Sequence, residues 1–362
     1  MSDIAALAAR LRQTAAADRV TPAELSKLVS DVFVQCGVPR TDADIAAEVA
    51  VWAQLHGSDS HGAVHLPLYT RGLIDQTIKC QPLFAVKHAM PCCAVIDADN
   101  GLGLVVSQRA MDMAIDMAKI HGLGAVAVRK SSHFGAAGYY AERAAERGMI
   151  GLAFTNAMPA IAPTGGTEGL FGTNPIGAAF PIPGADPVVA DMATSAVARS
   201  RIRHALAAAQ KAIPEGWALD PSGQPTTDPA VAVKGSLVPI GGPKGYALSL
   251  MVEVLCSALS DGEPGFQVTY ENMVKRPSNI CQFFLALNPN GFAGSERYGA
   301  RMTHIAEKVT TAKGMPGAEP PRLPGARGHA VKRKAAAEGI AMFDNLRAAL
   351  KNVAGMLESP PP

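Results

Sequence analysis

Two histidines each follow a serine and each run into glycine within two residues: Ser60-His61-Gly62 and Ser132-His133-Phe134-Gly135. Neutral imidazole is the commonest proton acceptor near pH 7, so both are candidates for acid–base work. Adjacent serine and histidine side chains diverge along the backbone, so neither pair reads as a nucleophile with its base. Ser60 reads instead as a hydrogen-bond partner that fixes an imidazole or a substrate oxygen. A third histidine, His65, stands at i+4 from His61, the spacing that presents two zinc ligands from one helical face. Gly62 between them, Pro67 just after and the absence of a glutamate beside His61 argue against that use, so no metal is expected.

The elements that must position these side chains follow from pattern. Thr21-Pro22-Ala23-Glu24 has the chemistry of a capping box and opens a helix with Leu25, Leu28, Val29, Val32 and Phe33 on one face, ended at Gly37. Thr41 and Asp44 are expected to open a second helix in the same way. It runs to Leu55 and leaves Ser60-His61 at the far end of a helical hairpin. Strands are expected at Ala94–Asp97, Ala125–Val128, Ile150–Thr155 and Pro187–Asp191, with helices at 104–121 and from about Ala136 to Arg147. This alternation predicts an α/β fold. The Ala125–Val128 strand delivers Ser131-Ser132-His133 at its C-terminal end. Between Ala157 and Pro187 the Gly- and Pro-rich composition predicts one long functional loop. A helix from Gly245 to about Leu259 and a single amphipathic helix from Ala335 onward complete the expectation. Residues 1–20 read as an N-terminal extension, 21–125 with 300–362 as a discontinuous, largely helical domain, and 126–299 as a second domain.

Composition narrows the class. With 362 residues, 48% apolar, 18% charged and 35 glycines, the chain suits a globular enzyme rather than a disordered or fibrous protein. A net charge of +2 gives no case for nucleic acid or an anionic membrane, and the basic run Arg327–Lys334 reads as a solvated face. None of the 6 cysteines forms a C-x-x-C pair, which points to free thiols in the cytoplasm. No window approaches the roughly 18 uninterrupted apolar residues of a membrane span. Neither G-x-G-x-x-G nor a P-loop occurs. What remains for phosphates is a set of glycine-laden helix openings, at His133–Ala137, Gly242–Gly245 (with Lys244) and Leu323-Pro324-Gly325.

Assembled, these stretches resemble the malate/L-lactate dehydrogenase-like oxidoreductases, the group that includes ureidoglycolate, sulfolactate and diketogulonate dehydrogenases and cyclic-imine carboxylate reductases. The resemblance is carried by Asp59-Ser60-His61-Gly62 with Leu66-Pro67 and Tyr69, Ser131–Gly135, Thr155-Asn156, Gly172-Thr173-Asn174-Pro175, Asp191–Ser195, Pro214–Ala218, Gly241–Tyr246 and Leu323-Pro324-Gly325, in order across about residues 20–355. It implies a non-Rossmann NAD(P)-binding fold, a mixed sheet with flanking helices and helical terminal regions, which accounts for the missing fingerprint. It also implies a homodimer, NAD or NADP as cofactor, and a small 2-hydroxy or 2-oxo acid as substrate.

By the same resemblance Ser60, His61 and His133 are catalytic, and His65, Thr155, Asn156 and Thr173 bind substrate. His133, Phe134, Gly135, Ala136, Ala137, Asp191, Met192, Ala193, Pro243, Lys244, Pro324 and Gly325 contact the cofactor. The family commonly carries arginine where this chain has His65, and Arg71 or Lys130 are candidates to replace that carboxylate clamp. Lys130, often asparagine in the family, and Gln282, frequently histidine, are further departures. A cyclic-imine carboxylate reductase is the alternative within the class. A zinc hydrolase using His61 and His65, or a non-catalytic cofactor-binding relative, are the readings outside it.

Overall fold

The computed structural model describes residues 2–58, 61–270 and 275–359. Apolar residues at helical spacing bury one face of α1 (Ser2–Ala16), with Leu7, Ala8 and Leu11 inside. The capping box of α2 (Pro22–Gln35) forms as its sequence dictates: the Thr21 hydroxyl accepts from Glu24 N–H, and the Glu24 carboxylate accepts from Thr21 N–H. The helix α3 (Arg40–Leu55) corrects the second expected cap. Its N-cap is Pro39 without a side-chain bond, because Asp44 is drawn to Ser30 and Arg40, and Asp42 to Arg109. A 3-10 turn at Gly62–His65 leads into α4 (Leu66–Ile74).

Seven strands then build one mixed sheet: β1 (Ala85–Met90), β2 (Cys93–Asp97), β3 (Leu123–Ser131), β4 (Ile150–Thr155), β5 (Ile176–Ile182), β6 (Ala185–Met192) and β7 (Ile280–Leu287). Their order across the sheet is β1-β2-β3-β7-β4-β5-β6. Only β2 and β3 run parallel, joined by α5 (Gly103–His121); every other pair is antiparallel. The late strand β7 is inserted between β3 and β4, pairing Gln282 with Val128 on one side and Thr155 on the other. Thus the ends of three strands bring Ser131, Thr155 and Gln282 to one edge, beside which His133 emerges.

Two corrections concern loops. The segment expected as one loop from Ala157 to Pro187 holds the β5–β6 hairpin, turned at Gly184 with φ +70°. Pro175, Pro181 and Pro183 had masked its apolar run. The C-terminal segment is not one helix either: α11 (Ala326–Glu338) stops at Gly339, Ile340-Ala341 pairs with Arg19-Val20, and α12 (Asp344–Glu358) follows.

The largest buried cluster lies where α1 to α5 and α12 meet one face of the sheet, joined by α6 (Ala137–Ala145). α1 packs along α12, and Arg12 donates to Glu358 at 2.7 Å, so residues 2–20 are stitched to 340–358. The other face is covered by α9 (Pro243–Glu253) and a π-helical turn at Val254–Ala258, which pack against Ala127, Phe154, Cys281 and Phe283. The expected helix to Leu259 therefore changes winding after Glu253. Between the sheet and α9 come α7 (Arg199–Ala207), the single turn α8 (Pro229–Ala232) and a small three-stranded sheet over their own core. The remaining helix is α10 (Ser295–Thr310), against β5.

Candidate active site

Three imidazoles converge where the α3–α4 connection meets the end of β3. Gly62 makes the approach possible: it holds φ +85°, and a Cβ there would lie 2.3 Å from the Ala50 carbonyl oxygen. The His65 and His133 rings stand 4.8 Å apart between centroids, and His61 lies 6.1 Å from His133 and nearly parallel to it. Tyr69, from the first turn of α4 and completely buried, places its hydroxyl 2.7 Å from His133 Nδ1. Gly135 N–H donates to the same nitrogen at 3.3 Å. A backbone N–H only donates, so Nδ1 is an acceptor and the resting proton sits on Nε2. Tyr270 closes the far side, its ring 6.2 Å from His133.

Enclosure by protein holds His133 well below the usual imidazole range, and the neighbouring His65 and His61 push it the same way. His61 is lowered by burial alone. Neutral rings are what proton exchange near pH 7 needs. Ser60, expected beside them, lies outside the described residues.

The segments expected to contact cofactor gather around the C-terminal half of β6. Asp191 accepts from Gly138 N–H at 2.9 Å, which ties β6 to the start of α6 just after Phe134–Ala137. Asp191 remains accessible to solvent yet ringed by protein, and that enclosure pushes its carboxyl up to about 6. Val189 N–H donates to Pro324 O at 3.1 Å, placing Gly325 and the start of α11 alongside. Gly325 sits at φ +89°, and a Cβ there would be 2.9 Å from Val189 N. Ile240 N–H donates to Thr194 O at 2.9 Å, so Pro243-Lys244 at the head of α9 follows the end of β6. None of α6, α9 and α11 has a side-chain cap. The starts of α9 and α11, with exposed Lys244, fit a pyrophosphate, while at α6 the Gly138 N–H is already taken by Asp191. Met192 and Ala193 line the same stretch.

The residues expected at the substrate divide. The Thr155 hydroxyl donates to backbone carbonyls of Asn156 and Cys281, and the Thr173 carbonyl receives Thr194 N–H. Asn156 is a brace: its amide donates to Glu253 and to Glu263 O and accepts from Cys281 N–H. Glu253, which sequence reasoning passed over, is 4% exposed and gathers Asn156, Asn174 and Gly265 N–H at the point where α9 turns π-helical. Gln282 is fully buried and donates to Ser132 O, bracing the turn before His133.

Of the candidate cations, Lys130 is turned to Asp97 at 2.9 Å and Arg71 faces Asp75 at 3.8 Å. Lys130 also holds φ +50°, a backbone that asparagine tolerates better than lysine. A cation not foreseen is Arg199: part-buried, with Nε unpartnered, and close enough to Tyr270 for their charges to interact. Only its place just after the Asp191–Ser195 stretch could have signalled it.

Comparison with known proteins identifies the family. A profile of the malate/L-lactate dehydrogenase family matches residues 20–351. The chain is 42% identical to the L-sulfolactate dehydrogenase of Methanocaldococcus jannaschii over 301 residues, 82% of this chain and 86% of that protein. The solved structure of sulfolactate dehydrogenase from that organism superposes with a TM-score of 0.87, covering 94% of this chain and 97% of the other at 39% identity. Chromohalobacter salexigens (2R)-3-sulfolactate dehydrogenase (NADP(+)) is 39% identical, covering 82% of this chain and 87% of that protein. Escherichia coli K12 ureidoglycolate dehydrogenase (NAD(+)) is 33% identical, covering 91% and 93%. Matched by family profile, by sequence and by fold over nearly its whole length, the chain belongs to the malate/L-lactate dehydrogenase family.

Proposed function

We propose that the protein is an NAD(P)-dependent dehydrogenase acting at C2 of a small 2-hydroxy acid, or in reverse on the 2-oxo acid, with His133 as proton carrier. The observation that carries the assignment is the orientation of His133. Its Nδ1 is engaged by Tyr69 and Gly135, so Nε2–H is left to meet a substrate oxygen beside the glycine-lined helix starts. The bound nicotinamide supplies the hydride in reduction and accepts it in oxidation.

In reduction, Nε2 gives its proton to the developing alkoxide while Nδ1 takes one from the Tyr69 hydroxyl, and a proton taken up from solvent restores Tyr69. The ring thereby stays neutral, as its enclosure favours. Oxidation runs the same transfers backwards. His61 and His65 flank the reacting oxygen, and Arg199 approaches from the Tyr270 side as the cation for the carboxylate that His65 is too weakly charged to hold. Segments Phe134–Ala137, Asp191–Ala193, Pro243-Lys244 and Pro324-Gly325 hold the cofactor. Exposed Leu250, Met251, Val254 and Leu259 on α9 and its continuation support a homodimer through that face. Free cysteines support a reducing, cytoplasmic setting.

The test follows the near-ultraviolet absorbance of NADH and of NADPH with pyruvate, oxaloacetate, 2-oxoglutarate, sulfopyruvate and, as the imine alternative, pyrroline-2-carboxylate. Oxidation with a 2-oxo acid supports the reading and identifies the cofactor. Oxidation with the imine alone replaces it. Failure of both cofactors to bind, read by their fluorescence, overturns it.

A further inference from the structure

Away from the imidazole cluster, three other buried side chains meet: His56 at the end of α3, Glu142 in α6 and His329 in α11. Their side chains are 8%, 3% and 5% exposed. His56 Nε2 stands 3.5 Å from one Glu142 oxygen and His329 Nδ1 3.6 Å from the other. All three ligand atoms lie within 4.8 Å of one another, the one such trio among the described residues.

The hydrogen bonds around the trio fix what each ring presents to it. His56 Nδ1 lies 2.8 Å from the Trp52 carbonyl oxygen, and His329 Nε2 lies 2.9 Å from that of Pro187. A carbonyl accepts and never donates, so each ring carries its proton on the outer nitrogen. The inner nitrogens, His56 Nε2 and His329 Nδ1, therefore turn lone pairs toward a carboxylate. His56 Nε2 is fully buried and has no hydrogen-bond partner. Lone pairs facing a carboxylate are unfavourable unless something positive lies between them.

We propose that His56, Glu142 and His329 form a binding site for a zinc-like divalent transition-metal ion. Two imidazoles and one carboxylate are a known zinc set, and ligands about 2.1 Å from a tetrahedral ion stand roughly 3.4 Å apart, close to the spacings here. The outer nitrogens bonded to carbonyls are the usual support of metal-bound histidine, and Trp52 Nε1 donates to Glu142 in the same supporting role. A cavity of about 610 Å³ lined by Glu142 and His329 gives an ion and its remaining water a way in. Lys332 Nζ lies 4.0 Å from Glu142, but its side chain is 39% exposed and free to swing into solvent. Bound there, the ion would clamp α3, α6 and α11 together, and the starts of α6 and α11 carry the proposed cofactor segments.

Metal-stripped full-length protein is titrated with Co²⁺, then challenged with Zn²⁺. The Trp52 ring stacks on His56 at 3.9 Å, so in a Trp217→Phe background its fluorescence reports the site. One Co²⁺ per chain, a visible ligand-field band, quenched Trp52 emission and displacement by Zn²⁺ are expected. Glu142→Gln and His329→Ala should abolish binding, whereas Trp52→Phe should weaken it by about tenfold in the absorbance assay. His88→Ala, on an exposed strand, should change nothing. Should Glu142→Gln fail to fold, Zn²⁺ must still raise the Tm of the parent protein and not of His56→Ala. No stoichiometric Co²⁺ binding, or binding lost with His61→Ala and retained in His329→Ala, overturns the proposal. Neither result touches the dehydrogenase reading, which the nicotinamide assay decides separately.

Discussion

His56 and His61 are near neighbours in the chain, yet they enter opposite kinds of surroundings. His61 joins His65 and His133, three imidazoles with a tyrosine hydroxyl on the central ring. His56 joins His329 around a buried glutamate. The first grouping disfavours any added positive charge, which keeps its rings neutral and suited to passing protons. The second leaves negative charge facing lone pairs, which suits holding a cation. Histidine is common to both; burial and crowding of like rings favour proton chemistry in one, and a buried glutamate between two inward lone pairs favours ion binding in the other.

The sharpest way to break this contrast is to remove the central ring. His133→Ala should lower turnover by about two to four orders of magnitude, in line with the worth of general acid–base catalysis. Cofactor fluorescence should show that NAD(P)H still binds. A rate within a few-fold of the parent would take His133 out of the chemistry. Tyr69→Phe keeps the ring's packing but removes the partner at Nδ1. It should cost about tenfold or more in kcat with little change in KM, and should alter the pH profile. An effect on KM alone would make Tyr69 only a wall of the site.

The contrast also has a pH signature. His61 and His133 titrate lower in the folded protein than in the unfolded chain, so the unfolded chain binds more protons below pH 6.5. Stability is therefore full above that pH and is lost as pH falls toward the folded values, at most about 1.4 kcal/mol per pH unit for each such ring. The Tm should drop between pH 7 and pH 5, and His133→Gln should make the drop shallower. Rates of hydroxy-acid oxidation should rise with pH, because the relay must shed the Tyr69 proton before Nε2 can accept one from the substrate. An oxidation rate independent of pH from 6 to 9 would take Tyr69 out of the relay.

Two milder tests sharpen it further. Removing divalent metal by chelation should lower the Tm while leaving turnover within about twofold, because the clusters are separate. His65→Arg should lower KM for a simple 2-oxo acid by several-fold, since it adds a fork for the carboxylate. A raised KM would mark His65 as adapted to its own substrate.

How much of this was legible in the sequence differs by residue. The histidines proposed to handle protons could be singled out, because each sits at an element end next to glycine, where packing alone has no use for a titratable ring. The α2 cap was legible since capping is local chemistry. Its expected twin at Thr41 and Asp44 was not, because distant partners outbid the local bond. Strand β7 was missed for another reason: Ile280–Leu287 is a nearly continuous apolar run, and a strand buried on both faces shows no alternation. Proline marks hid β5 and the turn that joins it to β6, although the Pro187–Asp191 part of β6 was expected as a strand. Tyr69, Arg199 and Glu253 acquire their roles only through contacts between segments far apart in the chain. The His56–Glu142–His329 trio is the extreme case, with three ligands from three helices and no spacing to read.

The stitching of α1 to α12 has a kinetic meaning. Arg12 and Glu358 are 346 positions apart, so the loop their contact closes spans almost the entire described chain. Closing such a loop gains nothing until the sheet between has folded and brought the two helices within reach. Docking of α1 onto α12 should accordingly be a late event in refolding. Until then the apolar stripe of Leu7, Ala8 and Leu11 stays uncovered, making that interval the one in which the chain is most prone to stick to its neighbours.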